Sequence, residues 1–152
     1  MKNRIKKLSA ILLACLLTLS LVGPVFAEGE PTTSGSCGKD GDKLTWTYDT
    51  ESCVMTISGE GAMEDYVLSM MAPWKLYTKM IREVRVEEGV TALGSGCFNF
   101  CTALEKVTLP ETLTCVGPRA FMNDTALKEV ICPTVWRRFM RTHFAAAPWR
   151  ER

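Results

Sequence analysis

A 23-residue periodicity without gaps is the feature that most constrains what this chain can fold into. Residues 81–103 read IREVRVEEGVTALGSGCFNFCTA, and residues 104–126 read LEKVTLPETLTCVGPRAFMNDTA. A third, partial unit covers residues 127–133. A repeat of this length cannot bury its apolar side alone, so successive units must stack into a solenoid. The two full units superpose at the following apolar and glycine positions: Ile81/Leu104, Val84/Val107, Val86/Leu109, Val90/Leu113, Leu93/Val116, Gly94/Gly117 and Phe98/Phe121.

Each unit is predicted to contain a strand, a second short extended segment and a brief helical turn. The strands are expected at residues 83–86, 106–109 and 129–132, where apolar residues alternate with polar ones. The second extended segment ends at Gly94 or Gly117, and the helical turn carries Phe98 or Phe121 inward. A solenoid with one strand and one helical turn in each unit belongs to the α/β class.

Two cysteines four residues apart, Cys97 and Cys101, raise the question of a metal or redox site. The second unit has Ala120 and Asp124 at these positions, so the unit does not need either thiol in order to form. A zinc site normally uses paired Cys or His elements, and the chain has one histidine. A redox pair would have two residues between the cysteines. We therefore predict that both pack in the core, and we expect no metal and no cofactor.

The segment before the repeats predicts an N-terminal cap over residues 37–80. KLTWTYD and CVMTISG alternate apolar and polar residues around a short polar turn, as in a β-hairpin. Cys37 and Cys53 flank this hairpin, and two interpretations stay open: a structural disulfide, or a Cys53 that packs as a small apolar residue. Ala72-Pro73-Trp74 then predicts the start of a short helix, with proline at its first position.

The two ends of the chain carry different signals. Residues 1–27 have a basic start, an apolar core and small residues before Ala27, which predicts a signal peptide cleaved near Ala27 and export from the cell. Residues 28–36 are expected to form a polar linker. Residues 134–152 are predicted to form an amphipathic helix that caps the stack, followed by a basic tail, and they contain five arginines and one glutamate. No membrane-spanning segment is expected in the mature chain.

Three stretches resemble the BspA-type leucine-rich repeat proteins, a family of exported bacterial surface proteins. They are SGSCGKDGDKLTWTYDTESCVMTISGEGAM, MAPWKLY and GVTALGSGCFNFCTALEKVTLPETL, and together they cover about residues 34–132. The period of 23 also lies in the leucine-rich repeat range. The expected fold is therefore a short α/β stack of leucine-rich repeats with an N-terminal β-hairpin cap and a C-terminal helical cap. The resemblance implies non-catalytic binding, often adhesion to host proteins or to other cells.

The leading hypothesis for function is a secreted or cell-surface module that binds an extracellular protein or glycan. Solenoids bind partners across the face formed by their parallel strands. After the signal peptide is removed, 14 basic and 17 acidic residues remain, so we expect no nucleic-acid partner. The candidate partner-binding face consists of the outward strand residues Glu83, Arg85, Lys106, Thr108, Glu129 and Ile131.

Two other hypotheses remain. Family members usually carry longer arrays, so the chain could be a truncated fragment of such an array with no independent function. A secreted thiol enzyme would need a Cys–His dyad, and Cys132 is the cysteine closest in sequence to His143. The sequence contains no G-x-S-x-G element, metal-ligand cluster or phosphate-binding glycine loop to support catalysis.

Overall fold

The repeats and the hairpin share one continuous β-structure in the computed structural model, which describes residues 32–66 and 71–134. The chain divides into the units Met1–Thr32 and Thr33–Arg152, and the described residues belong almost entirely to the second unit. The strands of the described residues are β1 Ser34–Ser36, β2 Lys43–Asp49, β3 Val54–Ala62, β4 Glu83–Val86, β5 Val90–Leu93, β6 Lys106–Thr108, β7 Cys115–Val116 and β8 Glu129–Ile131.

The main ladder of strands runs in the order β1-β2-β3-β4-β6-β8. The hairpin strands β1, β2 and β3 pair antiparallel, and β3/β4, β4/β6 and β6/β8 then pair parallel. Glu83 lies opposite Lys106, and Lys106 lies opposite Glu129. Each step between the repeat strands β4, β6 and β8 therefore equals the 23-residue shift read from the sequence.

Strand β3 joins the hairpin to both ladders of the repeats. Its first half pairs with β4, and its last residues, Gly61 and Ala62, pair with β5, which in turn pairs with β7. The register shifts between Gly61 and Ala62. Gly59 and Gly61 have φ angles of 109° and 108°, in the left-handed region that a glycine adopts without strain. These glycines let one strand bend from the first ladder to the second.

The residues predicted to be helical form consecutive turns instead. In the segment at 71–80, Lys75 N–H donates to Ala72 O (3.0 Å) and Tyr77 N–H donates to Trp74 O (2.9 Å), so these bonds span three residues, and a single bond spanning four, from Ile81 N–H to Tyr77 O (3.0 Å), follows at the end of the segment. In the repeats, Phe98 N–H donates to Ala120 O of the next unit (2.8 Å). Backbone groups used between units cannot close helical bonds within a unit. The predictions of a helix after Pro73 and of helical turns at Phe98 and Phe121 were therefore wrong, and the described residues contain strands and turns but no α-helix.

The expected linker is also shorter than predicted. Residues 34–36 form β1 at the edge of the sheet, with Ser36 opposite Thr45. All three side chains are exposed, so nothing in the composition signals burial. An edge strand needs only backbone hydrogen bonds, which a polar sequence supplies as well as an apolar one. The predicted helical cap at 134–152 lies outside the described residues except for Thr134.

A column of aromatic rings forms the centre of the core. Trp74 meets Trp46 of β2 edge-on at 5.9 Å between ring centroids, and it stacks on Phe98 at 5.3 Å. Phe98 stacks in turn on Phe121 at 5.5 Å. The indole N–H of Trp74 donates to Cys97 O at 3.0 Å, which satisfies the one polar atom of this buried ring. The column therefore links the N-terminal cap to both full repeats.

The repeated glycine of each unit is required by close contact between units. A Cβ atom at Gly94 would lie 1.8 Å from the carbonyl oxygen of Glu64. A Cβ atom at Gly117 would lie 2.5 Å from the backbone nitrogen of Ser95. Both obstacles are backbone atoms, which cannot rotate away as a side chain can. This explains why glycine is retained at the same position of both units.

Replacing Trp74 with alanine should destabilise the whole described fold. We expect the free energy of unfolding to fall by about 3–5 kcal/mol, because the change removes a large ring from the core and leaves a cavity between hairpin and repeats. Urea denaturation followed by circular dichroism measures this loss. The matched control is Leu76→Ala in the same segment, where the side chain is exposed and the expected change is below about 0.5 kcal/mol. Equal losses in the two variants would contradict the role given to Trp74.

Candidate functional site

The six side chains predicted to form the partner-binding face lie in two rows across three adjacent strands. Glu83, Lys106 and Glu129 occupy neighbouring positions of β4, β6 and β8. Arg85, Thr108 and Ile131 form the second row, two residues further along each strand. Parallel pairing places equivalent residues about 4.8 Å apart, so the three members of each row are direct neighbours. We call this surface the strand face.

Glu83 is the electrostatic centre of the strand face. Arg85 binds it through two contacts, Nε to Oε1 at 2.9 Å and Nη2 to Oε2 at 3.1 Å. Lys106 Nζ lies 3.7 Å from the same Oε1. The hydrogen bonds from Arg85, together with the charges of Arg85 and Lys106, lower the pKa of Glu83, and Glu83 raises the pKa of Arg85. The guanidinium is therefore held in a fixed orientation before any partner arrives.

The hairpin extends the strand face beyond the predicted residues. Thr56 of β3 lies opposite Arg85, and Thr47 of β2 lies opposite Thr56. Next to them the hydroxyl oxygens of Thr45 and Ser58 lie 3.2 Å apart. The six-strand ladder spans about 24 Å at a strand spacing of about 4.8 Å. The alternation in KLTWTYD, with buried Leu, Trp and Tyr between exposed threonines, was the signal that could have identified this extension.

A second group of charges lies just before the strands of the repeats. Glu105 precedes β6, and its carboxylate meets Lys128 Nζ at 3.0 Å and Arg82 Nη1 at 3.7 Å. Like Glu83, this glutamate is flanked by two cations, although here both come from neighbouring units. Exposed pairs of this kind contribute little to stability, typically about 0–1 kcal/mol. The group therefore provides an internal comparison for the charges of the strand face.

Cys37 and Cys53 are not joined by a disulfide. Cys37 N–H donates to Leu44 O, at the start of β2, whereas Cys53 follows the turn at the other end of β2. The five residue steps from Leu44 to Asp49 extend about 17 Å along the strand, whereas a disulfide requires Cα atoms within about 7 Å. The disulfide interpretation is therefore wrong. Sequence spacing could not show that the two thiols lie at opposite ends of the hairpin.

Cys97 and Cys101 lie in the core. Both are almost completely inaccessible to solvent, and this desolvation raises the pKa of each thiol. The nearby carboxyl of Asp124 raises the pKa of both further. A thiol that stays protonated at neutral pH is a poor nucleophile and a poor metal ligand. Within residues 32–66 and 71–134 no group of three or more metal-ligating side chains lies together, and His143 of the thiol-enzyme hypothesis is outside these residues.

Thiol labelling should therefore be selective. Cys115 is exposed and should react with a maleimide in the folded protein, whereas Cys97 and Cys101 should react only after unfolding. Mass spectrometry of peptides from native and urea-treated protein measures the labelling of each cysteine. Rapid native labelling of Cys97 or Cys101 would contradict their assignment to the core and would revive a redox or catalytic interpretation.

Asp124 is a buried carboxyl with one satisfied oxygen. Its Oδ1 accepts the N–H of Cys101 at 2.8 Å, and its Oδ2 has no hydrogen-bond partner within the described structure. Burial raises the pKa of Asp124 to about 8, and the Cys101 N–H offsets only part of that effect. The side chain is therefore mainly protonated at neutral pH. In the first unit the equivalent position is occupied by Cys101, so no carboxyl group is buried there.

Asp124 should make the fold less stable as the pH rises. An unfolded aspartate has a pKa of about 3.9, so from about pH 4 to about pH 8 the folded state binds more protons than the unfolded state, and the free energy of unfolding decreases with pH. Asparagine retains an oxygen for Cys101 N–H and cannot ionise. We expect Asp124→Asn to raise the midpoint of thermal unfolding more at pH 8 than at pH 5. Parallel pH profiles for the two proteins would show that Asp124 ionises freely in the fold.

The comparison with protein families finds a repeat region in the same part of the chain. A family model described as "BspA type Leucine rich repeat region (6 copies)" matches residues 74–147. The repeat region of this chain belongs to the BspA-type leucine-rich repeat family. The match begins at Trp74, the residue that stacks on the first repeat, and it includes residues 134–147, which the sequence analysis assigned to a helical cap.

Among solved structures, the chain is similar to a leucine-rich repeat protein from Eubacterium ventriosum ATCC 27560. The two share 35% sequence identity, with a TM-score of 0.57. The alignment covers 66% of this chain and 26% of that chain, so the present chain spans about a quarter of its solved neighbour. No curated protein matches the sequence. Across the described residues, no helix has the length and apolar character needed to cross a membrane.

Proposed function

We propose that the chain is a secreted or cell-surface, non-catalytic leucine-rich repeat module that binds an extracellular protein or glycan through its strand face. The observation that carries the proposal is the in-register alignment of Glu83/Lys106/Glu129 and Arg85/Thr108/Ile131 across three parallel strands. The proposal that the chain is exported rests on the leader-like residues 1–27.

The composition of the strand face suits a polar macromolecular partner. Around Glu83, Arg85 and Lys106 the surface carries charges of both signs, and the hairpin adds a band of hydroxyl groups from Thr45, Thr47 and Thr56. Complementary charges steer a partner and fix its orientation. Because Arg85 is already oriented by Glu83, binding immobilises fewer side-chain rotamers and loses less conformational entropy.

A non-catalytic role agrees with both the chemistry of the thiols and the family. BspA-type leucine-rich repeat proteins are generally non-enzymatic. Cys97 and Cys101 have raised thiol pKa values and no solvent access, so they do not offer an activated nucleophile. The strand face instead presents fixed polar groups over a broad area, which is the usual arrangement of a solenoid binding surface.

The test reverses the two cations around Glu83. We expect Arg85→Glu combined with Lys106→Glu to weaken binding to the partner by about tenfold or more, because one side of the contact becomes uniformly acidic. Immobilised extracellular matrix proteins, plasma proteins and a glycan array serve as the probes, and a ligand of the unaltered protein is then measured with each variant. Circular dichroism verifies that every variant is folded.

The matched control reverses Arg82 and Lys128, the two cations around Glu105. Both double variants change the net charge equally and disrupt one glutamate flanked by two cations. The proposal expects the control to retain binding within about threefold, since these residues lie before the strands. Equal losses would indicate a general charge effect, and retained binding in the Arg85/Lys106 variant would exclude the strand face as the contact surface.

A further inference from the structure

The turn segments of the structure form a separate side of the stack, which we call the turn side. It consists of residues 71–80, 95–100 and 118–123. Gly96, Phe98 and Phe100 donate backbone hydrogen bonds to Pro118, Ala120 and Met122 of the next segment at 2.8–3.0 Å. The Trp74 indole N–H reaches Cys97 O in the same direction. The three segments are therefore neighbours in space as well as equivalents in sequence.

The exposed large apolar side chains of the described residues are concentrated on the turn side. Of six such side chains, Ile131 lies on the strand face, and the other five are distributed over the three turn segments: Met71, Leu76, Met80, Phe100 and Met122. Phe100 and Met122 are held next to each other, because Phe100 N–H donates to Met122 O at 2.8 Å. Single exposed apolar residues are common on protein surfaces, whereas a concentration on one side indicates a contact surface.

The exposed ring of Phe100 and its backbone conformation are the features of the turn side that the requirements of folding explain least. The φ angle of Phe100 is +63°, a conformation that disfavours a bulky side chain, and its side chain is 51% exposed. The equivalent residue in the next unit is Asn123, with a φ angle of +66°. Asparagine tolerates this conformation well because its short polar side chain bonds locally. Folding alone would therefore favour asparagine at position 100, and the aromatic ring there requires another reason.

The charged residues within the three segments of the turn side have one sign, and the carboxylate of Asp65 borders them through two hydrogen bonds from Ser95 at 2.8 Å. The three segments contain Lys75, Lys79 and Arg119, all exposed, and no aspartate or glutamate. None of these three cations has an ion-pair partner within the described residues. On the rest of the described surface, Lys39, Arg82, Arg85, Lys106 and Lys128 each lie 2.9–3.7 Å from a carboxylate, and Lys43 of β2 is the remaining cation without an ion pair there. Three of the four cations that lack an ion pair within the described residues therefore lie beside the exposed apolar side chains.

We propose that the turn side docks on an anionic phospholipid surface. Apolar side chains inserted at the headgroup level, together with lysine and arginine beside them, are the two components by which a protein lies on such a membrane without spanning it. A lipid surface deforms around projecting turns, whereas a small-molecule ligand usually binds in a concave pocket. This contact goes beyond the proposed function. It leaves the strand face, with its fixed ion pairs, free for a protein or glycan.

Vesicle sedimentation tests the proposal with the exported chain recovered from the medium of an expressing host. We expect binding to vesicles of equal parts phosphatidylglycerol and phosphatidylcholine, little binding to phosphatidylcholine alone, and weaker binding at higher salt. Lys75→Glu combined with Lys79→Glu should reduce binding about tenfold or more. All proteins compared share the same N-terminus, so any contribution from residues 1–31 is common to all.

Phe100→Asn separates the proposal from a structural role. The variant places in the first unit the residue found in the second, so its thermal midpoint should be equal or higher, while vesicle binding falls about fivefold or more. Arg85→Glu with Lys106→Glu is the opposite control and should leave vesicle binding within about twofold, so failure of this proposal is distinguishable from failure of the strand face.

Two results would overturn the proposal. The first is equal binding of the unaltered protein and Phe100→Asn to the anionic vesicles, or no binding by either. The second is a concentration-dependent dimer in analytical ultracentrifugation that Phe100→Asn dissociates, which would identify a second copy of the chain as the occupant of the turn side.

Discussion

The aromatic column Trp46–Trp74–Phe98–Phe121 is the interaction on which the rest of the structure depends. Each repeat contributes one ring, and the N-terminal cap contributes two, with centroid separations of 5.3–5.9 Å along the column. Short repeats cannot bury enough apolar surface by themselves. The stacked rings give the two full repeats and the hairpin a common core. The hydrogen bond from the Trp74 indole to Cys97 O fixes the position of the cap relative to the first repeat.

The same stacking positions two surfaces with different electrostatics. On the strand face, parallel pairing brings cations and carboxylates together, so Glu83 holds both Arg85 and Lys106. On the turn side, the equivalent backbone contacts bring apolar residues together beside cations that have no ion pair within the described part of the chain. The 23-residue register determines both outcomes, because it aligns every position of one unit with its counterpart in the next. The proposed partner contact and the proposed lipid contact therefore use opposite properties of one scaffold.

Much of the ladder could be predicted from sequence, because buried strand positions such as Val84 and Val107 leave a strict apolar signature. That signature also placed Glu83 beside Lys106 without a structure. The turns could not be predicted in the same way, since the spacing of Trp74, Tyr77 and Ile81 fits either a helix or successive turns. In the segment at 71–80 the deciding backbone bonds are local, whereas in the repeat turns Phe98 N–H bonds to the next unit, which the local sequence does not indicate.

Two further features, the exposure of Phe100 and the separation of Cys37 from Cys53, were not predicted from the sequence. An apolar residue such as Phe100 is usually expected inside, and its 51% exposure is seen only in the structure. The pair Cys37 and Cys53 seemed close because both flank the hairpin, yet hairpin geometry places them at opposite ends. Sequence spacing gives the number of residues between two groups. The distance between these groups and the orientation of their side chains depend on the path of the folded chain.

Native-state hydrogen exchange is the measurement that tests the shared core most directly. If the aromatic column unites cap and repeats, the slowest amides of β2 and β3 should exchange with the same free energy as those of β4 and β6, because all four strands open in one cooperative step. A hairpin whose amides exchange at a clearly lower free energy than the repeat amides would show two independent units, and it would contradict the account of a single stack joined through Trp74.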